Sequence, residues 1–196
     1  MLTFVVIEAQ TQQLKNQPMH RIVASITTLE QHIEACASGV DAWRPQACPH
    51  CRGCKLWGHG CYHRKADRRP GAAESLNPIA IARYLCAACR QTCSRLPLCI
   101  APRRWYNWAL QQVVLLLLLA GCSLHRCSRC TCLARRTVRR WRDWLERRSQ
   151  SFVFHLRSRF AELGRSPNTD SFWRNVMDSM TLGCAMAWLD QDLLVP

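Results

Sequence analysis

Two cysteine pairs, "CPHC" at residues 48 to 51 and "CAAC" at residues 86 to 89, raise the first chemical question about this chain. A Cys-x2-Cys turn presents two sulfurs to one ion. Two such turns supply the four thiolates of a tetrahedral site, the geometry zinc adopts with sulfur. Cys48, Cys51, Cys86 and Cys89 are therefore the expected ligands of one Zn2+. With four protein ligands no position is left for water or substrate, so the expected metal is structural and not catalytic. His50, Cys54, His59, Cys61, His63, Cys93 and Cys99 lie in the same stretch. A Cys51/Cys54 or Cys89/Cys93 choice of ligands stays open at this level. Cys122, Cys127, Cys130, Cys132 and Cys184 lie in or beside helical segments and read as small buried side chains, with no convincing fourth ligand for a site built on Cys127, Cys130 and Cys132.

The second chemical cluster is "RRTVRRWRDWL", residues 135 to 145. Ala134, Val138, Trp141 and Leu145 follow the i, i+4, i+7 spacing of a buried helix stripe, and Arg135, Arg136, Arg139, Arg140 and Arg142 fall on the far side. With only Asp143 among them, these arginines repel one another unless a polyanion relieves the field. Arg135, Arg136 and Thr137 sit near the helix start, where a recognition helix approaches base edges, and Arg139, Arg140 and Arg142 can reach bases or backbone. The plainer alternative is a surface helix kept soluble by arginine.

Composition agrees with an anionic partner. The 196 residues carry 27 Lys and Arg against 13 Asp and Glu, a net charge of +14. The excess lies in two blocks: residues 44 to 104 hold 12 basic and 2 acidic groups, and residues 126 to 159 hold 11 and 2. Double-stranded DNA is the leading expectation, ahead of an anionic membrane surface. The 14 cysteines suit either a secreted disulfide scaffold or an intracellular metal protein. "MLTFVVIEAQ" lacks the basic start and long apolar stretch of an export signal, so reduced or metal-bound cysteines and a cytoplasmic, nucleoid-associated protein are expected. The apolar run "VVLLLLLAG" at 113 to 121 falls well short of the ~20 residues that cross a bilayer, so no membrane is expected.

These residues need elements to position them, and the chain reads as α+β: a small zinc-ribbon β module followed by a mainly helical helix-turn-helix region. Residues 1 to 43, with a β-like run at Phe4 to Ile7 and a weak helix ending at Gly39, form an extension of unassigned role. In residues 44 to 104, "GCYHRKA" and "AIARYLCAAC" are expected strands joined by the loop "DRRPGAAESLNP". Too few large aliphatic residues lie there for burial alone to hold the module, and a metal supplies the missing constraint. Gly53 fits the turn after the first pair. In residues 105 to 149, a helix through "WYNWALQQVVLLLLLA" ends at Gly121, Ser123 caps a short helix through "LHRC", and a third helix covers 133 to 148. Trp144 lies beside the buried stripe and is expected to be partly covered. Residues 150 to 196 hold a helical segment "SFVFHLRSRFAEL" and a last helix capped by Asp170, with Phe172, Val176 and Met180 on its apolar face.

Taken in order, "CPHC", "WGHGCYHRKA", "RYLCAACRQTCSRLPLCIAPRRWY", "RRTVRRWRDWL" and "WLDQDLLVP" resemble a family of small bacterial transposase-like proteins of unknown function, related to the zinc-ribbon and helix-turn-helix front ends of insertion-sequence transposases. The similarity runs from about Cys48 to Pro196. It implies the same Cys48, Cys51, Cys86 and Cys89 ligands, the Arg135 to Trp141 segment near DNA, and "CSRLPLCIAPRRW" as the passage from ribbon to helices. The chain departs from the family pattern in Cys54, Cys61, Cys93 and Cys99, in a longer loop between the ribbon halves and in the cysteine-rich turn at 127 to 132.

A transposase core gathers carboxylates around catalytic metals. Glu146, Glu162, Asp170, Asp178, Asp190 and Asp192 are the available acids, all in helical or loop segments. The expectation is a DNA-binding accessory or regulatory module that is not an enzyme, working alone, as a homo-oligomer or beside a transposase partner. The alternatives are a protein-interaction module and the DNA-binding part of a split transposase.

Overall fold

A computed structural model describes residues 22–39, 43–65, 78–102, 106–193 and 195. The expected β-like run at Phe4 to Ile7 and most of the loop "DRRPGAAESLNP" lie outside these residues. The chain is a mixture of helices and small sheets, and it divides into two compact units: the residues before Tyr106 together with the tail from Asp190, and Tyr106–Leu189.

In the first unit, β1 (Ile22–Val23) is followed by α1 (Leu29–Ala37). Thr28 caps α1 reciprocally with Gln31, each side chain bonding the other's end of the first turn, which stops the helix from fraying. Strands β2 (Leu56–Arg64), β3 (Ile79–Cys86) and β4 (Thr92–Cys93) form an antiparallel sheet in the order β2-β3-β4. β5 (Leu96–Pro97) pairs in parallel with β1. The register of β2 on β3 runs from Leu56↔Cys86 to Arg64↔Ile79 and shifts between Gly58 and Cys61, so His59 and Gly60 together oppose Arg83. Gly60 at φ +70° supplies the left-handed backbone that this bulge requires. β2 begins at Leu56, four residues before the expected "GCYHRKA".

Trp43, Cys48, Leu56, Tyr84, Cys86 and Cys93 form one apolar cluster, with Ala35 and Cys36 of α1 packed against it. His32 of α1 is buried, its Nε2 lies 2.9 Å from the Ala80 carbonyl, and its ring meets Trp43 edge-on. α1 and Trp43, from a stretch assigned no role by sequence, thus pack against the sheet whose β3 ends at Cys86. The tail joins the same unit: the Ile22 N–H donates to Asp190 Oδ2 at 3.1 Å.

The second unit is helical: α2 (Trp108–Leu119), α3 (Leu124–Thr131), α4 (Arg135–Arg159), a 3-10 turn at Ala161–Arg165, α5 (Thr169–Ser179) and α6 (Leu182–Leu189). Ser123 caps α3 as expected, its Oγ accepting from the Arg126 N–H. The two segments expected at 133–148 and from Ser151 are instead the single 25-residue helix α4. The buried stripe explains this, because Val138, Trp141 and Leu145 continue without a break into Ser149, Phe152 and Leu156. Trp144 is buried, not partly covered, and Ala134 is the uncapped, exposed N-cap and not part of the buried stripe.

The expected last helix is two. α5 is capped by Asn168, with Asp170 in its first turn, and Met180 leaves the helix at φ -151°. Gln112 then captures the start of α6 by accepting the Leu182 N–H at 2.7 Å. Gly183 packs so closely on Trp108 that a Cβ there would lie 3.2 Å from the ring.

Candidate metal centre and basic face

Each cysteine pair is built the same way. In the first, the Arg52 N–H donates to the Cys48 carbonyl at 2.8 Å and the Cys48 N–H to the Gly53 carbonyl at 2.9 Å. In the second, the Arg90 N–H donates to the Cys86 carbonyl and the Cys86 N–H to the Gln91 carbonyl, both at 3.0 Å. The residue after each pair is left-handed, Arg52 at φ 63° and Arg90 at φ 59°. That reversal turns the chain back on itself and points both sulfurs of a pair the same way. The left-handed position is therefore Arg52, while the expected turn residue Gly53 lies against Cys51 Sγ at 3.4 Å and Ala88 Cβ at 3.4 Å, measured from where its own Cβ would be. A larger side chain at 53 would crowd the sulfurs.

The pairs face one another across the β3 end of the sheet. Cys48 Sγ and Cys89 Sγ are 3.6 Å apart, Cys51 Sγ and Cys86 Sγ 3.5 Å, and all four sulfurs lie within 4.8 Å of one another. A tetrahedron with Zn–S of about 2.3 Å requires S···S of about 3.8 Å, whereas a disulfide requires about 2.05 Å. Spacing of this kind suits four thiolates around one ion.

Electrostatics makes the same point. The N–H groups of Cys89 and Ala88 hold the Cys86 thiol down to about 6 against its burial, while burial pushes Cys89 up to about 12. Burial likewise raises Cys48. The Cys86 thiolate forms easily, while Cys48 and Cys89, raised by burial, need a cation beside them before they ionise.

The extra cysteines fall outside this group. Cys93 is buried in the apolar cluster and raised to about 11, first by burial. Cys54 is exposed, its thiol directed at the Arg52 carbonyl. Among the described residues, Cys48, Cys51, Cys86 and Cys89 are the one group of three or more Cys, His, Asp or Glu placed to hold a metal ion. Cys127, Cys130 and Cys132 do not form a second.

On α4, Arg135, Arg136, Thr137, Arg139, Arg140, Asp143 and Arg147 line one shallow concavity of the helix surface. The four arginines from 135 to 140 are exposed. Arg147 is a member that sequence reading missed; the seven-residue step from Arg140 points to it. Arg142 goes elsewhere: it pairs with Asp143 at 2.9 Å and Glu146 at 3.4 Å. It lines a separate cleft of about 820 Å³ with Leu115, Leu118, Leu145, Val153 and Trp173. The first turn of α4 carries no acid and its N-cap makes no side-chain bond, so its N–H groups and two arginines add positive potential at one end.

No protein-family model, curated protein or solved structure matches the chain. No helix among the described residues is long and apolar enough to cross a membrane.

Proposed function

We propose that this is a zinc-containing DNA-binding protein: Cys48, Cys51, Cys86 and Cys89 hold a structural Zn2+ in a zinc-ribbon unit, and the helical unit docks on double-stranded DNA as a helix-turn-helix. The observation that carries the reading is the exposed arginine face of α4, where one carboxylate, Asp143, sits among five arginines. Phosphates neutralise such a face, and α4 follows α3 after the short turn 132–134, as a recognition helix does. Zinc, when bound, supplies rigidity and no reactive position. We further propose a transposase-related accessory or regulatory role in the cytoplasm near the nucleoid, without a catalytic core of its own, as a homo-oligomer or with a transposase partner.

The test is Arg136→Ala, Arg139→Ala and Arg140→Ala combined, which leaves the buried Val138, Trp141 and Leu145 in place. Duplex affinity is expected to fall, and the slope of log affinity on log salt to become shallower by up to about 0.9 for each phosphate that is no longer neutralised. Unchanged affinity and slope in a variant with wild-type helicity overturn the reading. The second reading, a metal-stapled protein-interaction module, draws on the apolar cleft between α2, α4 and α5. Salt-insensitive capture of one polypeptide, abolished when Leu118 is replaced by Glu, favours it.

A further inference from the structure

β2 is the terminal strand of the order β2-β3-β4, so one side of it is paired with β3 and the other is open among the described residues. No backbone bond outside the β2–β3 ladder reaches residues 57–63 there. Trp57, Gly58, His59, Gly60 and Cys61 are exposed in succession. Gly58 and Gly60 have no side chain, so what they expose is the backbone itself. A row of open N–H and C=O groups is a template for another extended chain. Such an edge is ordinarily blunted by proline, by a charged side chain or by a bulge. β2 has no proline, and its one Lys or Arg is Arg64, its last residue. The Arg64 guanidinium donates to the Ala101 carbonyl instead of guarding the edge. The bulge at His59 and Gly60 interrupts the register once, and Cys61 to Arg64 then run unbroken opposite Ala82 to Ile79.

Charge selects among extended chains. Lys55 immediately precedes β2 and Lys65 immediately follows it, and both are exposed. Neither is paired with a carboxylate among the described residues. Residues 43–65 and 78–102 contain eight Lys and Arg and not one Asp or Glu. Glu30 and Glu34 belong to α1, which packs against β3 through His32 and Leu29. A second copy of β2 paired antiparallel about Gly60 would set Lys55 against Lys65 at both ends, and like charges placed opposite one another oppose pairing. A chain with acids at its two ends meets these lysines favourably. A nucleic acid satisfies the lysines but has no alternating N–H and C=O groups to offer the open ladder.

We infer that the outer edge of β2 is a docking site for an extended acidic polypeptide segment, which adds to the sheet as a further strand along residues 57–64 with carboxylates toward Lys55 and Lys65. At about 3.3 Å per residue the two lysines stand on the order of 30 Å apart, so the segment needs about ten residues. Trp57, 64% exposed, offers its ring to the side chain opposite it on the added strand. The inference concerns the metal-bearing unit and stands independently of the arginine face of α4.

The experiment titrates the full zinc-loaded chain with the labelled peptide Glu-Glu-Val-Thr-Val-Thr-Val-Thr-Glu-Glu, read by anisotropy and by amide hydrogen exchange. Binding is expected to slow exchange at residues 57–64. Methylating the peptide nitrogens along one edge removes its donors and is expected to weaken binding by more than about 10-fold. Lys55→Glu combined with Lys65→Glu is expected to weaken the acidic peptide by at least about 3-fold, and to make the same peptide with Lys in place of Glu the better ligand. The Lys55 carbonyl, which accepts the Ala87 N–H, is untouched by that change, and zinc content equal to wild type confirms the fold. The triple arginine variant of α4 is expected to keep the peptide-induced protection of β2. No binding, no protection at 57–64, equal affinity for the methylated peptide, or an unchanged preference in the double variant overturns the inference. Protection of the same amides by self-association without peptide, or by oligo-dT, overturns it in favour of a second copy or of nucleic acid.

Discussion

Cys48 and Cys51 belong to a turn whose next residue is left-handed, and a second such turn faces them across the sheet. Cys127 and Cys130 have the same spacing, yet both lie inside α3. There Cys127 is buried beneath the Cys122 carbonyl, raised first by burial, and Cys130 is exposed. The pair spacing is common to both units, and the difference lies in what surrounds it. A four-thiolate site of this kind relies on the chain reversing immediately after the pair and on a second pair held opposite. The sheet register Leu56↔Cys86 provides that opposition in one unit, and α3 has no counterpart to it.

The largest expected effect tests this contrast directly. Cys48→Ser and Cys89→Ser each leave three thiolates and an incomplete charge shell, so zinc is expected to be lost and the first unit loosened. Structural zinc in small peptides is worth roughly 10–16 kcal/mol at neutral pH, so its loss dominates any packing change. Cys130→Ser and Cys184→Ser are expected to keep one zinc per chain. Native mass spectrometry of the four variants, with proteolysis to localise loosening, makes the comparison; equal zinc retention in all four removes the distinction between the units.

The helical unit is held by burial instead. Phe152 is fully buried, edge-on to Trp144 and Trp173 at 5.8 and 6.2 Å, and the Trp173 indole donates to Ser149 Oγ at 2.9 Å. Phe152→Ala is expected to cost about 3–5 kcal/mol, read as a shift of the urea midpoint followed by circular dichroism. Zinc content is expected to stay at the wild-type value. Metal loss from this variant would show that the two units do not hold themselves together separately.

These contrasts explain what could be read from sequence. Cysteine spacing exposed the four sulfurs, because only residues at both ends of each pair carry the information. The stripe of Val138, Trp141 and Leu145 and the cap at Ser123 were legible because helix periodicity and capping are local. The join of 133–148 to the following segment was missed although Ser149 fits within the helix, its hydroxyl donating to the Leu145 carbonyl at 2.7 Å. The break at Met180 was missed although Thr181 caps α6 locally, its Oγ1 accepting the Cys184 N–H at 3.2 Å, and Gln112, seventy residues away, holds the same helix start. Arg142 was grouped with its neighbours although Glu146 stands four residues on, the i,i+4 spacing at which the two side chains pair at 3.4 Å.

The smallest expected effect compares the same backbone conformation in both units. Arg52, Arg90 and Cys132 are the three described non-glycine residues with positive φ. In the cysteine turns this conformation is imposed by the hydrogen bonds of Cys48 and Cys86 and by the proposed metal. Cys132, at φ 54° and ψ 30°, ends α3 with its N–H on the Ser128 carbonyl, and its exposed thiol has only a 4.0 Å approach to the Arg129 carbonyl. A side chain there costs about 1–2 kcal/mol relative to the right-handed region, and glycine escapes that cost while losing more chain entropy on folding, by about 0.5–1 kcal/mol. Cys132→Gly is therefore expected to stabilise the helical unit by up to about 1 kcal/mol, a rise in Tm of up to about 4–8 °C for a unit of this size. Cys132→Val, branched at Cβ and ill suited to positive φ, is expected to shift it the other way. A lower Tm for Cys132→Gly at unchanged helicity would mean that this thiol contributes a contact of its own, and the cysteines of the helical unit could then no longer be regarded as simple packing residues.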